Sequence, residues 1–164
     1  MKYTLFLLIF VCFGSVSQTY LSNTDFLNQH FTSVPKVQSL WLNAETKKAL
    51  GEIYHRQIHT LRVKYWKTDN TSAWIFNEIG KEKPITIGIV VKDNQINNVS
   101  ILAFRESRGW EVKYPFFTNQ FNGVSLSSKL ELSQNIDGIS GATLSVNAVT
   151  ASARAALYLN GQIN

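Results

Sequence analysis

The chain has 164 residues, of which 45% are hydrophobic and 16% are charged, and this is enough for one compact domain with a proper core. Its formal net charge is +5, but the basic residues are scattered among acidic and apolar positions and form no basic tract. The composition therefore argues against a nucleic-acid partner. Mild attraction to an anionic membrane surface or an acidic partner stays open.

The first 17 residues have the pattern of a secretory signal peptide. Lys2 supplies a positive charge, residues 5–13 form an apolar run, and Ser15-Val16-Ser17 is suited to cleavage before Gln18. The apolar run is shorter than a membrane span of about twenty residues, so an uncleaved anchor is the less favoured alternative. We therefore expect a periplasmic or otherwise extracytoplasmic protein, either free or associated with the inner membrane.

The single cysteine, Cys12, lies inside this apolar run. A bacterial lipoprotein site normally has a small residue immediately before the cysteine, whereas Val11 stands there in this chain. If cleavage follows Ser17, the remaining chain has no cysteine and can form neither disulfides nor thiol-based redox centres. Any redox function would then depend on a cofactor.

Residues 18–84 are predicted to form two helices and a hairpin. A short helix is expected over residues 21–31, because Pro35 disfavours helix just beyond it. An amphipathic helix is expected from residue 44 to about residue 57, capped by Asn43 and packed on a sheet. Alternating residues 61–66 and the run 73–76 flank a turn-like segment and predict the hairpin.

Two histidines, His55 and His59, are four residues apart near the predicted end of the second helix. This spacing admits two imidazoles on one helix face for a metal or a haem. A zinc site needs at least a third protein ligand, and no suitable residue accompanies the pair. Ordinary interaction of a histidine with the helix dipole is favoured, so no metal site is predicted.

The strongest hairpin signal is the β-branched run 85–91, followed by Asp93-Asn94 and a returning strand over residues 95–104. Gly88 inside the first strand indicates a bulge or a close backbone approach, and a plain packing accommodation is at least equally favoured. Residues 125–133 are expected to form either a last strand or a Ser-rich loop. No repeat or interdomain linker interrupts the chain.

A polar turn at residues 105–110 is followed by several aromatic residues. Trp110 and the arginines of this turn offer a wall and hydrogen-bond donors against which a flat group could stack. The alternative is that Arg105 and Arg108 are solvated and that the phenylalanines belong to the core, which is favoured for the phenylalanines. For Trp110 neither interpretation is preferred. The phenylalanines in question are Phe116, Phe117 and Phe121.

Residues 137–143 lead into a last predicted helix over residues 144–159, with Gly161 as its stop signal. Thr143 or Ser145 is a natural N-cap for this helix. Gly141 and Ala142 remove side-chain bulk, so a large group could approach the backbone. The first-turn N–H groups and the helix dipole favour an anion, and a phosphate held at Thr143 fits that chemistry.

At these residues the chain resembles the FMN-binding domain of the peripheral flavin subunits of the sodium-pumping quinone reductase and of Rnf-type electron-transport complexes. The family signature is Asp-x-x-Ser/Thr-Gly-Ala-Thr, and it is matched without a gap by Asp137, Ser140, Gly141, Ala142 and Thr143. In that family a separate flavin transferase esterifies the final Thr to the phosphate of FMN. The resemblance therefore implies covalent FMN at Thr143, with Asp137 and Ser140 recognised by the transferase. It covers roughly residues 85–159.

The resemblance also implies an upstream flavin contact. Electron-transport members carry a Glu-Thr-Pro-Gly-Leu loop beside the flavin, which Glu106, Ser107 and Gly109 resemble and from which Arg108 and Trp110 depart. The expected cofactor-binding residues are therefore Thr143, Ser140, Gly141, Ala142, Asp137, Glu106, Gly109 and Trp110.

The expected fold is α+β, a twisted and largely antiparallel sheet with flanking helices, similar to the FMN-binding domain. Its parts are a signal peptide (1–17), an N-terminal helical and hairpin part of the domain (18–84) and an FMN-binding core (85–160). The implied function is that of an exported flavoprotein electron carrier rather than a stand-alone enzyme. The implied partners are the flavin transferase and membrane or extracytoplasmic redox proteins.

Two alternatives remain. The first is a non-flavinylated, extracytoplasmic module of the same fold that binds another ligand or partner. The second is an enzyme in which Thr143 or Ser140 is a nucleophile. It is disfavoured because such a nucleophile needs a base and an orienting acid, and none of the three histidines has a motif neighbour.

Overall fold

The structure is a computed structural model that describes residues 18–163, and the predicted signal peptide, residues 1–17, lies outside the described residues. Six strands form one sheet: β1 (Gln18–Thr19), β2 (Gln38–Trp41), β3 (Arg62–Thr68), β4 (Thr71–Ile79), β5 (Pro84–Lys92) and β6 (Gln95–Phe104). Their order is β1-β6-β5-β4-β3-β2, and every neighbouring pair is antiparallel.

Four helices flank this sheet: α1 (Asn23–His30), α2 (Ala44–Tyr54), the short α3 (Pro115–Thr118) and α4 (Thr143–Gly161). Two 3₁₀ turns, Trp110–Lys113 and Asn119–Phe121, lie on either side of α3. The predicted α+β class is therefore confirmed. The predicted cap of α2 is also confirmed, because the Asn43 side chain accepts a hydrogen bond from the backbone N–H of Thr46 at 2.8 Å.

The β5–β6 hairpin lies inside the sheet, between β1 and β4, and agrees with the prediction. The residues of β5 between its two ends are all buried, which suits a β-branched strand covered on both faces. The turn residues Asp93 and Asn94 have φ values of 51° and 60°, the left-handed conformation that a tight hairpin turn requires. β6 begins and ends where the sequence predicts it.

The two faces of the sheet are covered differently. Helices α2 and α4 pack on one face and form the larger core, whereas α1 covers part of the other face with Phe26, Leu27 and Phe31. A Cβ atom at Gly88 would lie 2.7 Å from the ring of Phe26, so the glycine makes room for α1. The packing interpretation of Gly88 is confirmed, and the register shifts of the hairpin lie elsewhere in β5.

The C-terminal end of α4 is tied to the sheet by a buried polar network. Asn160 accepts a hydrogen bond from the Ser72 hydroxyl at 2.7 Å and donates one to the Asn94 side chain at 2.9 Å. The Ser72 hydroxyl in turn accepts from the Trp74 indole N–H at 2.8 Å. Because the buried side chains of Ser72, Trp74 and Asn160 all have partners, the network fixes the position of α4 along the sheet.

The predicted second helix is wrong at its C-terminal end. It ends at Tyr54, because His55 adopts a left-handed conformation with a φ of 52° and its N–H closes the last turn on the Gly51 carbonyl. His55 and His59 are both exposed and do not share a helix face. Within residues 18–163 no group of three or more histidine, cysteine, aspartate or glutamate residues is placed to hold a metal ion.

Three further predictions need correction. Residues 125–133 form a loop with a single bridge between Leu126 and Leu132, so the loop alternative is the correct one. Phe117 and Phe121 are fully buried as predicted, but Phe116 is 62% exposed, and the buried residues of this short helix are Phe117 and Thr118. Gly161 is the last residue of α4 rather than the residue after it.

None of the helices in the described part of the chain is both long and apolar enough to cross a bilayer.

Candidate functional site

The loop that leads into α4 is mostly exposed, although Ile136 and Ile139 are half-buried against the core. Gly141 has a φ of 80°, which favours glycine, and the N–H of Ala142 donates to the Ile139 carbonyl at 3.0 Å. Ala142 is only 4% exposed, whereas Asp137, Ser140 and the following Thr143 are exposed. The loop therefore ends at the small, buried Ala142, and the side chain of the next residue, Thr143, is exposed to solvent.

The predicted N-caps of α4 are wrong. Ala142 occupies the N-cap position, Thr143 is the first helical residue, and no side chain caps the helix. Ser145 is buried and faces inward. The Thr143 hydroxyl makes no hydrogen bond with any residue in the range 18–163, so its oxygen is available for reaction at the protein surface.

The start of α4 is suited to an anion. The first-turn N–H groups of a helix have no partner inside the helix, and here no capping side chain takes their place. The first turn contains no acidic residue, and the helix dipole places partial positive charge at this end. A phosphate ester on Thr143 would therefore be stabilised by the backbone alone.

The turn at residues 105–110 packs against the same helix start. Gly109 is buried and has a φ of 85°, a conformation that favours glycine. A Cβ atom built on it would lie 2.5 Å from the Ser145 hydroxyl oxygen and 3.5 Å from the Ala142 Cβ. The structure therefore brings the two segments that carry the family resemblance into direct contact.

Glu106 holds a neighbouring turn. One of its carboxylate oxygens accepts three hydrogen bonds, from the backbone N–H groups of Lys81 at 2.7 Å, Glu82 at 2.6 Å and Lys83 at 2.8 Å. Burial raises the pKa of this carboxyl, but the three N–H donors and the charge of Lys81 outweigh it, so the pKa is lowered overall. Glu106 thus anchors the turn between β4 and β5 beside the site.

Replacing this carboxylate should weaken the fold in a pH-dependent way. Glu106→Gln keeps an acceptor but loses the charge, so we expect a loss of about 1 kcal/mol in the free energy of unfolding at neutral pH. Because the folded-state pKa is lowered, the wild-type advantage is fully present above the ordinary glutamate pKa and is lost as the pH falls through the lowered value. Urea unfolding of both proteins from neutral to acidic pH measures this.

The matched control for that measurement is Glu82→Gln. The side chain of Glu82 is 69% exposed and makes only a surface ion pair with Lys81. This variant should unfold like the wild type at every pH. If Glu106→Gln were equally neutral, the three hydrogen bonds to Glu106 would contribute nothing to stability.

Three exposed aromatic side chains lie next to this junction, and we call Trp110, Tyr114 and Phe116 the aromatic shelf. Trp110 and Tyr114 meet edge to face with ring centroids 5.7 Å apart, and the centroids of Tyr114 and Phe116 are 6.2 Å apart. Trp110 is 41% exposed, so it offers part of its ring to a ligand. The Lys113 ammonium lies 5.3 Å from the Trp110 centroid and 4.2 Å from that of Tyr20.

Gln120 connects the far end of the shelf to the helix-start loop. Its side-chain oxygen accepts from the backbone N–H of Asp137 at 2.7 Å, and its amide nitrogen lies 3.4 Å from the Asp137 carbonyl oxygen. The same nitrogen is 3.5 Å from the carbonyl oxygen of Phe116. The loop is therefore held at one end by Gln120 and at the other by the contact of Gly109 with Ala142 and Ser145.

No local sequence signal indicates this role for Gln120, because its partner Asp137 is 17 residues away and Gln120 belongs to no recognised motif. Of the two arginines in the 105–110 turn, Arg105 differs from both interpretations, whereas Arg108 agrees with the solvated one. Arg105 donates to the Pro84 carbonyl and the Thr86 hydroxyl, each at 2.9 Å, so it braces β5 and is neither simply solvated nor a ligand donor. Arg108 is exposed.

Two cavities are lined by residues of the 105–110 turn or of α4. One of about 290 Å³ lies beside Trp110 and is lined by Gln18, Tyr20, Phe104, Glu106, Trp110 and Lys113. The other, of about 320 Å³, lies between the first turns of α4 and the ends of α2 and β4, and Leu144 and Ile79 form part of its wall. Glu106 and Trp110 therefore share a cavity, whereas Thr143 lines neither of the two.

A comparison with known proteins identifies a family for this part of the chain. The family model described as the FMN-binding domain matches residues 80–158, from the turn held by Glu106 into the last turns of α4. All eight residues that the sequence marks as cofactor-binding fall within the matched segment. A comparison with curated proteins found no match.

Proposed function

The chain carries an FMN-binding domain of this family over residues 80–158, and on this premise we propose that it holds FMN through a phosphoester bond to Thr143 and carries electrons outside the cytoplasm. The observation that carries the proposal is the exposed Thr143 side chain at the uncapped start of α4. It offers a hydroxyl without a partner in the described chain, directly beside N–H groups that favour a phosphate.

The residues around Thr143 fit such a linkage. The new bond joins the Thr143 hydroxyl oxygen to phosphorus, and the product equals protein plus FMN less one water. Gly141 has no side chain to obstruct the approach, and Asp137 and Ser140 are exposed where a flavin transferase would read them. Gln120 holds the Asp137 backbone, so the loop would be presented in one conformation.

The aromatic shelf is the proposed wall for the isoalloxazine. Trp110 follows directly on Gly109, which contacts the start of α4, and its ring is 41% exposed, so it would offer an aromatic surface near the phosphate end. Lys113 adds a positive charge next to Trp110, and a charge near the ring is one way for a protein to set the flavin potential. The flavin would supply the one- or two-electron chemistry, and the chain would supply position and electrostatics.

An extracytoplasmic location supports a covalent linkage. The signal-peptide pattern of residues 1–17 is the basis for export, with membrane or extracytoplasmic redox proteins as donors and acceptors. A cofactor bound reversibly would be diluted outside the cytoplasm, whereas a linked one stays at an effective concentration on the order of millimolar. Such a protein would be one carrier within a chain of electron-transfer steps.

The test is the intact mass and visible spectrum of the protein purified from a host that also expresses a flavin transferase. We expect a mass gain equal to FMN less one water, a flavin absorption spectrum that survives denaturation, and reversible bleaching by a reductant followed by an electron acceptor. A known substrate of the same transferase serves as the positive control. If the control is modified and this protein is not, the carrier proposal is wrong and a non-flavinylated binding module takes its place.

A further inference from the structure

Helix α1 packs on one face of the sheet but leaves the β2 end of that face uncovered. The buried cluster under α1 involves β4, β5 and β6 through Ala73, Val90 and Leu102, so it does not extend over β2. At this end, Val37, Ser39 and Trp41 alternate onto one side of β2 and its approach. Arg62 and Lys64 on β3 pair with Trp41 and Ser39, which places all five side chains on the same face. We call Val37, Ser39, Trp41, Arg62 and Lys64 the β2 edge face.

The apolar side chains of this face are unusually exposed. Trp41 is 66% and Val37 is 53% exposed, and Leu61, at the same end of the β2–β3 pair, is 64% exposed. The Arg62 guanidinium lies 5.6 Å from the Trp41 ring centroid, so a cation and an aromatic ring occupy the surface together. Large apolar side chains grouped at an open sheet edge indicate a surface that binds something.

The charge of the face identifies the occupant. Arg62, Lys64 and the adjacent Lys36 are exposed, and none of them forms an ion pair with a carboxylate of residues 18–163. The residues that β2 and β3 place on this face include no aspartate or glutamate. A tryptophan beside unpaired cations is the combination that settles at the boundary between lipid headgroups and acyl chains.

We propose that the β2 edge face docks this domain on an anionic lipid surface. Trp41 and Val37 enter the headgroup region, and Arg62, Lys64 and Lys36 attract the negatively charged headgroups. Helix α4 packs on the opposite face of the sheet, so docking leaves Thr143 turned to solvent, where an attaching enzyme and a redox partner can reach it. The proposal needs no flavin and goes beyond the proposed function.

Binding to vesicles tests the proposal on the purified protein beginning at Gln18, whose described residues contain the whole sheet and core. The probes are vesicles of phosphatidylcholine alone and of phosphatidylcholine mixed with phosphatidylglycerol. We expect sedimentation with the anionic vesicles only, weakened by salt. The double variant Arg62→Gln/Lys64→Gln should bind roughly 25-fold more weakly, about five-fold per charge, and Trp41→Ser should also lose binding.

Two matched variants separate this face from generic effects. Lys47→Gln/Lys48→Gln removes the same charge from α2, and Phe116→Ser removes an equally exposed apolar side chain from the aromatic shelf. Both should retain most of the binding. The proposal would be overturned if the two charge variants lost vesicle binding equally, or if Phe116→Ser lost more binding than Trp41→Ser. It would also be overturned if the protein did not bind anionic vesicles, or if it preferred a single-stranded oligonucleotide to them.

The outcome is independent of flavin attachment. After co-expression with the transferase, the variants at Trp41, at Arg62 and Lys64, and at Lys47 and Lys48 should have the mass of the flavinylated wild type apart from the substitution. A variant can therefore lose vesicle binding and keep the flavin mass gain, and it can lose the mass gain and keep vesicle binding. The two measurements distinguish these outcomes. Thermal unfolding of each variant shows that these exposed substitutions leave the fold intact.

Discussion

Thr143→Ala should abolish covalent flavin attachment and leave the fold unchanged. The threonine supplies the one oxygen that the proposed phosphoester uses, so its removal should reduce the mass gain from full to undetectable. Its side chain is exposed and makes no hydrogen bond in the described structure, and alanine is the better helix former by a few tenths of a kcal/mol. Intact mass after co-expression with a flavin transferase, together with thermal unfolding, measures both effects.

Two further substitutions complete this experiment. Thr143→Ser keeps a hydroxyl at the same backbone position and should still accept flavin, although the missing methyl group leaves its rotamer less restricted. Thr150→Ala makes the same chemical change two turns further along α4 and should be flavinylated like the wild type. A flavin-sized mass gain on Thr143→Ala would place the linkage on another residue and contradict the assignment.

Gly109→Ala should damage both the fold and the site. The new Cβ would lie 2.5 Å from the Ser145 hydroxyl oxygen, and the φ of 85° is unfavourable for alanine. Overpacking and a left-handed backbone together should lower the free energy of unfolding by about 2 to 4 kcal/mol. The turn at residues 105–110 would move away from the start of α4, so flavinylation should fall as well. Urea unfolding and intact mass report the two effects separately.

Gly123 provides the matched control for this prediction. It has a φ of 77°, but a Cβ atom added there would have no neighbouring atom within 4 Å, so Gly123→Ala tests the backbone conformation without the contact. We expect it to lose only about 1 kcal/mol. The double variant Gly109→Ala/Ser145→Ala removes the hydroxyl and should recover part of the stability. If the two glycine variants were equally destabilised and Ser145→Ala gave no recovery, the contact with Ser145 would have no energetic role.

Features that depend on neighbouring residues were predictable from the sequence. The β5–β6 hairpin follows from a β-branched run and the Asp93-Asn94 turn, and the start of α2 follows from the Asn43 cap. The errors lie where local signals are ambiguous or tertiary packing intervenes. A threonine at a helix start is often a cap, but here Ala142 takes the cap position, and it is buried beside Gly109.

The sequence by itself determined the β5–β6 hairpin, because periodicity and turn chemistry act over a few residues. Its resemblance to the FMN-binding domain marked residues 137–143 and implied the α+β class. Only the tertiary structure decided how that segment is held. Gln120 reaches Asp137, Gly109 meets Ser145, and Glu106 anchors the turn at residues 81–83, all through contacts between residues distant in the chain. The open β2 edge face was likewise invisible, since strand order determines which side chains α1 leaves uncovered.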